Sequence, residues 1–259
     1  VKIDLKQELA LGQLTLTMTE NCHGDSQPLL DNVQFNRLHE KLAPDTGALA
    51  GAMIASRWCG EVLEFSGFKI SADIADAVRL IVPDAKFVQP VDGFRRNLCE
   101  GHLRLLVSKP EEAASVVESS HWNDGLTRLV TWSGEFVRPA TRSSSGRIAG
   151  EVSTNADVFL PTWETSVCLG LLVGGLKLGS IVIKQPESEY ADDVERIAAA
   201  LRIAGVQLRI AQASESKRGE NLYRRVAADE EERKPIARED QRRPAKPALA
   251  FIGRNRGRR

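Results

Sequence analysis

His121 lies in the run Ser119-Ser120-His121-Trp122-Asn123-Asp124, where two hydroxyls and a carboxylate flank an imidazole. Acyl transfer needs a nucleophile beside a base, and an indole can wall the pocket that holds a substrate. The strained G-x-S-x-G elbow that usually presents such a serine is missing, and neither Ser66-Gly67 nor Ser145-Gly146 supplies it. A surface turn explains the same residues. Arg95 and Arg96 follow Asp92-Gly93-Phe94 at the expected end of a strand, where paired guanidinium groups can clamp a carboxylate or phosphate. Arg142 and Arg147 flank Ser143-Ser144-Ser145-Gly146, a loop able to cradle an anion. These four arginines are the anion-binding candidates, with solvated side chains as the plain alternative.

Other reactive types point nowhere in particular. Cys22, Cys59, Cys99 and Cys168 lack the close pairing from which structural zinc sites are built, so no metal and no cofactor is expected. Glu111-Glu112 and Asp192-Asp193 fall at expected helix starts, where the helix dipole accounts for them.

Charge is the most informative property. Residues 217–259 hold 14 of the 35 Lys and Arg but 7 of the 35 Asp and Glu, so a neutral chain divides into a body near −7 and a tail near +7. A segment so poor in apolar residues cannot offset its ordering entropy and is expected to be disordered alone. Arg242, Arg243, Lys246, Arg254, Arg256, Arg258 and Arg259, spaced by Gly, Asn and Pro, suit a phosphate backbone or an acidic protein surface, with Phe251 as an apolar anchor. No apolar run reaches the roughly 18 residues of a membrane span. The opening Val1-Lys2-Ile3-Asp4-Leu5 has no signal-like apolar region, so a cytoplasmic location is expected.

The elements that must position these groups follow from periodicity. Residues 1–5 and 14–18 alternate apolar and polar with Gly12 between them, which predicts a β-hairpin. The spacing of Val33, Leu38 and Leu42 suggests a helix over 31–42, and the small-residue stretch 46–60 a closely packed one, with a strand in its second half as the alternative. A strand is expected over 61–68. Ser71, with Asp73 behind it and Ile74, Val78 and Ile81 on one face, predicts a capped helix. Strands follow at 86–91, 102–107 and 126–132, a short helix at 108–119 and a loop at 138–155. Val167 to Val173 and Leu178 to Lys184 are expected to pair as a hairpin, leading into one helix from Glu189 to Ala213. Its residues Val194, Ile197, Leu201 and Leu208 follow a heptad seam, expected to join two copies in a homodimer.

The hairpin VCLGLLV–GGLK–LGSIVIKQ and the helix after it, residues 167–213, resemble the C-terminal part of a GAF domain. The resemblance implies a sheet closed by that hairpin and a helix that joins a dimer bundle. It implies no cyclic nucleotide, since the corresponding signature is absent. The expected architecture is α/β or α+β, mixed sheet layers with helices: an N-terminal region 1–107, a GAF-like region 108–213 and a basic tail 214–259. The expected function is non-enzymatic: a dimeric binding, scaffold or regulatory protein whose basic arm engages nucleic acid or an acidic partner. Two alternatives stand beside it, a small-molecule enzyme with a pocket near His121, Asp124, Arg95 and Arg96, and a subunit of a larger assembly.

Overall fold

Alternation in the first twenty residues produces the expected hairpin: β1 (Lys2–Glu8) pairs antiparallel with β2 (Gln13–Thr19), and Gly12 takes the left-handed φ of 64° that the turn requires. A computed structural model describes residues 1–20, 25–26, 31–38, 41–93, 101–113, 126–134 and 148–211. The segment read as a helix over 31–42 is instead β3 (Asn32–Asn36), which extends the meander by pairing with β2. Val33 and Phe35 are buried two positions apart, a strand period that outweighed the loose helical spacing.

Helix α1 (Pro44–Ala55) is buried on every side, which its Gly, Ala and Thr content permits. It leads to β4 (Val62–Ser66), parallel to β1, with Gly67 at φ 83° directly after. Helix α2 (Ala72–Ile81) starts as expected, Ser71 Oγ accepting from the Ile74 amide. β6 (Phe87–Gln89) then lies parallel to β4, while the short β5 (Ile70–Ser71) and β7 (Val91–Asp92) form a separate ladder.

From β8 (Leu103–Ser108) the chain runs to β9 (Thr127–Ser133) and β10 (Ile148–Thr154). β10 occupies residues 148–154 of the expected loop, of which residues 138–147 lie outside the described ones. Two further expectations fail here. Val167 to Val173 is no strand: it belongs to helix α3 (Thr162–Gly174), and β11 (Leu178–Lys184) pairs with β8. A helix buried all round has the same unbroken apolar run as a buried strand, so periodicity could not separate them. The expected long helix ends early. Helix α4 (Ala191–Ile203) stops at Gly205, whose φ of 79° lets the Val206 amide reach back to Leu201 O at 2.8 Å. The chain then forms β12 (Gln207–Ala211), parallel to β11.

The heptad seam is therefore divided between two elements. Ile197 and Leu201 are buried within the chain, where α4 packs on α2, Val194 is half-buried against the same core, and Leu208 belongs to β12. The pattern that carries the GAF resemblance is likewise helix, strand, helix and strand rather than hairpin and helix.

The fold is mixed α/β: one ten-stranded sheet in the order β12-β11-β8-β9-β10-β3-β2-β1-β4-β6, with four helices, among the described residues. Among the described residues, and leaving out the short β5, each half contributes in chain order three strands of this sheet, a helix, a strand, a helix and a strand, and in each half these strands lie as third, second, first, fourth, fifth. The first three strands of the N-terminal half are an antiparallel meander; all five of the C-terminal half are parallel. The halves meet where β3 and β10 pair antiparallel over Asn36↔Ser153 and Phe35↔Thr154. Asn155 extends this short joint, its Oδ1 accepting from the Gln34 amide at 2.8 Å and its Nδ2 donating to Asn32 O at 3.2 Å.

Helix α2 lies beside one end of the sheet and α4 beside the other, yet the two pack together. The sheet must therefore curl around its helices. Ile3, Leu16, Leu105, Trp132 and Ile181 face this enclosed core, while Leu106, Leu129, Val182 and Ala211 form a smaller apolar cluster with Ala113.

Candidate functional site

In an open parallel sheet the connections leave opposite faces at the point where strand order reverses, and the gap they leave at the carboxyl ends is where ligands bind. In the C-terminal half that point lies between β8 and β11. A cleft of about 570 Å³ opens there, within the usual range for small-molecule sites. Its walls come from the turn after β8 (Glu112), the end of β11 and the loop beyond it (Ile183 to Glu187), the start of α3 (Pro161, Thr162, Trp163, Ser166), and Tyr190.

Each wall has a local cause. Pro161 precedes α3 in an extended conformation and has no side chain with which to cap it, so the first-turn amides have no side-chain acceptor at the N-cap. Ser166 Oγ accepts from the buried Trp132 Nε1 at 3.0 Å and donates to Thr162 O at 3.0 Å, tying this first turn to the sheet. The Lys109 ammonium sits 5.0 Å from the centre of the Trp132 ring. Lys184 Nζ bonds Glu112 Oε1 at 2.9 Å, bridging the segments that leave β11 and β8. Trp163 and Tyr190 meet at 6.1 Å between ring centres, an aromatic wall. Trp163 is 6% exposed, and its Nε1 donor has no hydrogen-bond partner.

Next along α3 from Trp163 the electrostatics are unusual. Glu164 is 7% exposed, and burial raises its carboxyl from the ordinary 4.5 to about 7, opposed by Arg57 and Arg196 and reinforced by Asp193. Burial, with the Glu164 charge added, also pushes the Cys168 thiol well up, which suits a packing role. Its Sγ lies 3.7 Å from Ala50 O and 3.8 Å from Met53 Sδ, between α3 and α1. The Tyr190 phenol is raised first by its hydrogen bond to Glu189 and holds its proton.

A second concavity, about 430 Å³, lies at the amino edge and is lined by His102, Arg128 and Lys177. Among the described residues no cluster of three or more His, Cys, Asp or Glu could hold a metal ion, and no helix is long and apolar enough to cross a membrane.

Of the residues singled out from sequence, His121, Asp124, Arg95, Arg96, Arg142, Arg147 and the whole tail, Arg242 to Arg259 included, lie outside the described residues. Cys168 is brought next to Glu164, and Glu112 to Lys184. The cleft itself was missed. Its signal was Pro161-Thr162-Trp163-Glu164, an extended proline followed by an acidic first turn, which reads as a helix start once 167–173 is not taken for a strand. No family model, curated protein or solved structure matches the chain.

Proposed function

We propose that this chain is a cytoplasmic binding protein of regulatory or scaffold type, in which an acidic α/β body carries a basic arm, residues 217–259, that engages nucleic acid. The observation that supports this reading is charge segregation: a body near −7 repels a polyanion, while an arm near +7 attracts one. The described part of the chain ends in β12, an edge strand among the described residues, and the arm lies beyond it in sequence. Its arginines alternate with Gly and Asn near the end, a spacing that lets successive guanidinium groups follow a phosphate backbone.

Fluorescence anisotropy with a labelled single-stranded oligonucleotide tests this. Should six cations of the arm engage phosphates, affinity falls about a thousandfold between about 50 and 200 mM salt. A chain ending at Ser216 loses the interaction. Equal affinity with and without the arm, or a flat salt dependence, removes nucleic acid from the proposal.

A further inference from the structure

The two halves of the sheet share one strand order, so each has its own reversal point, between β1 and β4 in one and between β8 and β11 in the other. The first is closed by the chain itself. Gln7, near the end of β1, accepts from the Leu42 amide at 2.9 Å, and Leu42 and Leu5 crowd Gly47 of α1 so closely that a Cβ there would meet them at 2.9 and 3.0 Å. The second, among the described residues, is the open cleft with Pro161, Trp163, Ile183, Pro186 and Tyr190 in its walls. Its rim is acidic. Glu112 and Glu187 line it, and residues 185–195 hold five carboxylates, those of Glu187, Glu189, Asp192, Asp193 and Glu195, with no Lys or Arg among them. Glu187, Glu189, Asp192 and Glu195 are exposed. Two cations of this region are already engaged, Lys184 with Glu112 and Arg196 with Asp193.

An apolar segment flanked by cations fits such a cleft, and the chain carries one. Ala248-Leu249-Ala250-Phe251-Ile252 is the longest apolar run in residues 217–259, and residues 241–259 hold seven Lys and Arg, placed on both sides of it, with no Asp or Glu. Its tether starts beside the cleft. Ala211 of β12 lies opposite Lys184 of β11, and Lys184 is itself a wall residue. At about 3.3 Å per residue, the segment 212–247 can span roughly 100 Å, many times the spacing of neighbouring strands. Tethering makes docking intramolecular, so modest contacts suffice.

We infer that this cleft is the docking site for residues 248–252 of the same chain, with Phe251 and Ile252 against Trp163 and Tyr190 and the flanking cations facing the carboxylates of residues 187–195. The apolar contact supplies affinity, and the opposed charges set orientation. Docked, the arm withholds its seven cations from other polyanions. This autoinhibition rests on the nucleic-acid reading above; the docking itself does not.

Hydrogen exchange followed by mass spectrometry on the full chain at low salt tests the docking. Amides of residues 185–190 and 248–252 exchange about fivefold or more slowly in the parent than in Phe251→Ser/Ile252→Ser, a change that leaves net charge alone. Glu187→Lys with Glu189→Lys, both at exposed positions, releases the arm equally with an unchanged melt. Identical exchange in parent and serine variant overturns the inference. So does a difference confined to 248–252, or one that the two lysines leave intact, since either seats the segment elsewhere. A difference that fades on about tenfold dilution puts the segment in a second copy and also overturns it. Adding the labelled single-stranded oligonucleotide separates the two proposals. Bound oligonucleotide should return residues 185–190 to the exchange of the serine variant, and binding by anisotropy with protection intact overturns the autoinhibition. Protection without any oligonucleotide binding sinks the nucleic-acid reading alone and supports the docking.

Discussion

Glu164→Gln is expected to stabilise the protein at pH 8 and to do much less at pH 5. In the folded chain this carboxyl titrates near 7; unfolded, it returns to about 4.5. Between those values the folded state binds more protons than the unfolded one, so stability falls as pH rises through the window and levels off above 7. At about 1.4 kcal/mol per tenfold change, the gap corresponds to about 3 kcal/mol, of which 2 to 3 lies roughly between pH 5 and 8. Glutamine has no charge to bury and no such dependence. Urea unfolding of both proteins at the two pH values isolates the residue, because every other titrating group cancels in the difference of differences. The variant should gain about 2 to 3 kcal/mol relative to the parent on going from pH 5 to pH 8, or about 4–12 °C in Tm for a domain of this size. A constant offset at both pH values would refute the reasoning, for it would mean that Glu164 is ionised in the fold throughout, with Arg57 and Arg196 outweighing burial.

Other substitutions probe the core and the joint. Leu201→Glu should unfold the chain or destabilise it by about 4 kcal/mol or more, seen as loss of a cooperative melt, since Leu201 is fully buried between α4 and the core. A soluble, folded product of lower mass in light scattering would instead restore the seam as an intermolecular surface. Asn155→Ala removes two hydrogen bonds at the β3–β10 joint and should cost about 1–3 kcal/mol in urea unfolding, with no loss there if the joint contributes nothing.

Much of the N-terminal half was legible because its elements are half-exposed and so alternate in polarity. The hairpin of β1 and β2 shows a period of two, and α2 announces itself through Ser71, Asp73 and an apolar face. The C-terminal half was harder for the opposite reason. Its strands are parallel, and helix α3 is apolar all round, so the sequence there reads as apolar runs whose length alone separates helix from strand. Gly205 was a stop signal hidden inside a heptad pattern that continued by chance through Leu208. The cleft depended on that half being assembled correctly, since Glu112, Trp163, Lys184 and Tyr190 are brought together only by the strand order. No short motif could have joined them.

The antiparallel meeting of β3 and β10 involves two residue pairs, whereas α1 packs on α3 and α2 on α4 beneath it. Cohesion between the two repeats thus resides in buried helices rather than in the ladder that links them. A polypeptide cleaved between residues 93 and 101 should accordingly stay associated as a tight heterodimer of its own fragments. Such a molecule could also be reconstituted from pieces produced apart.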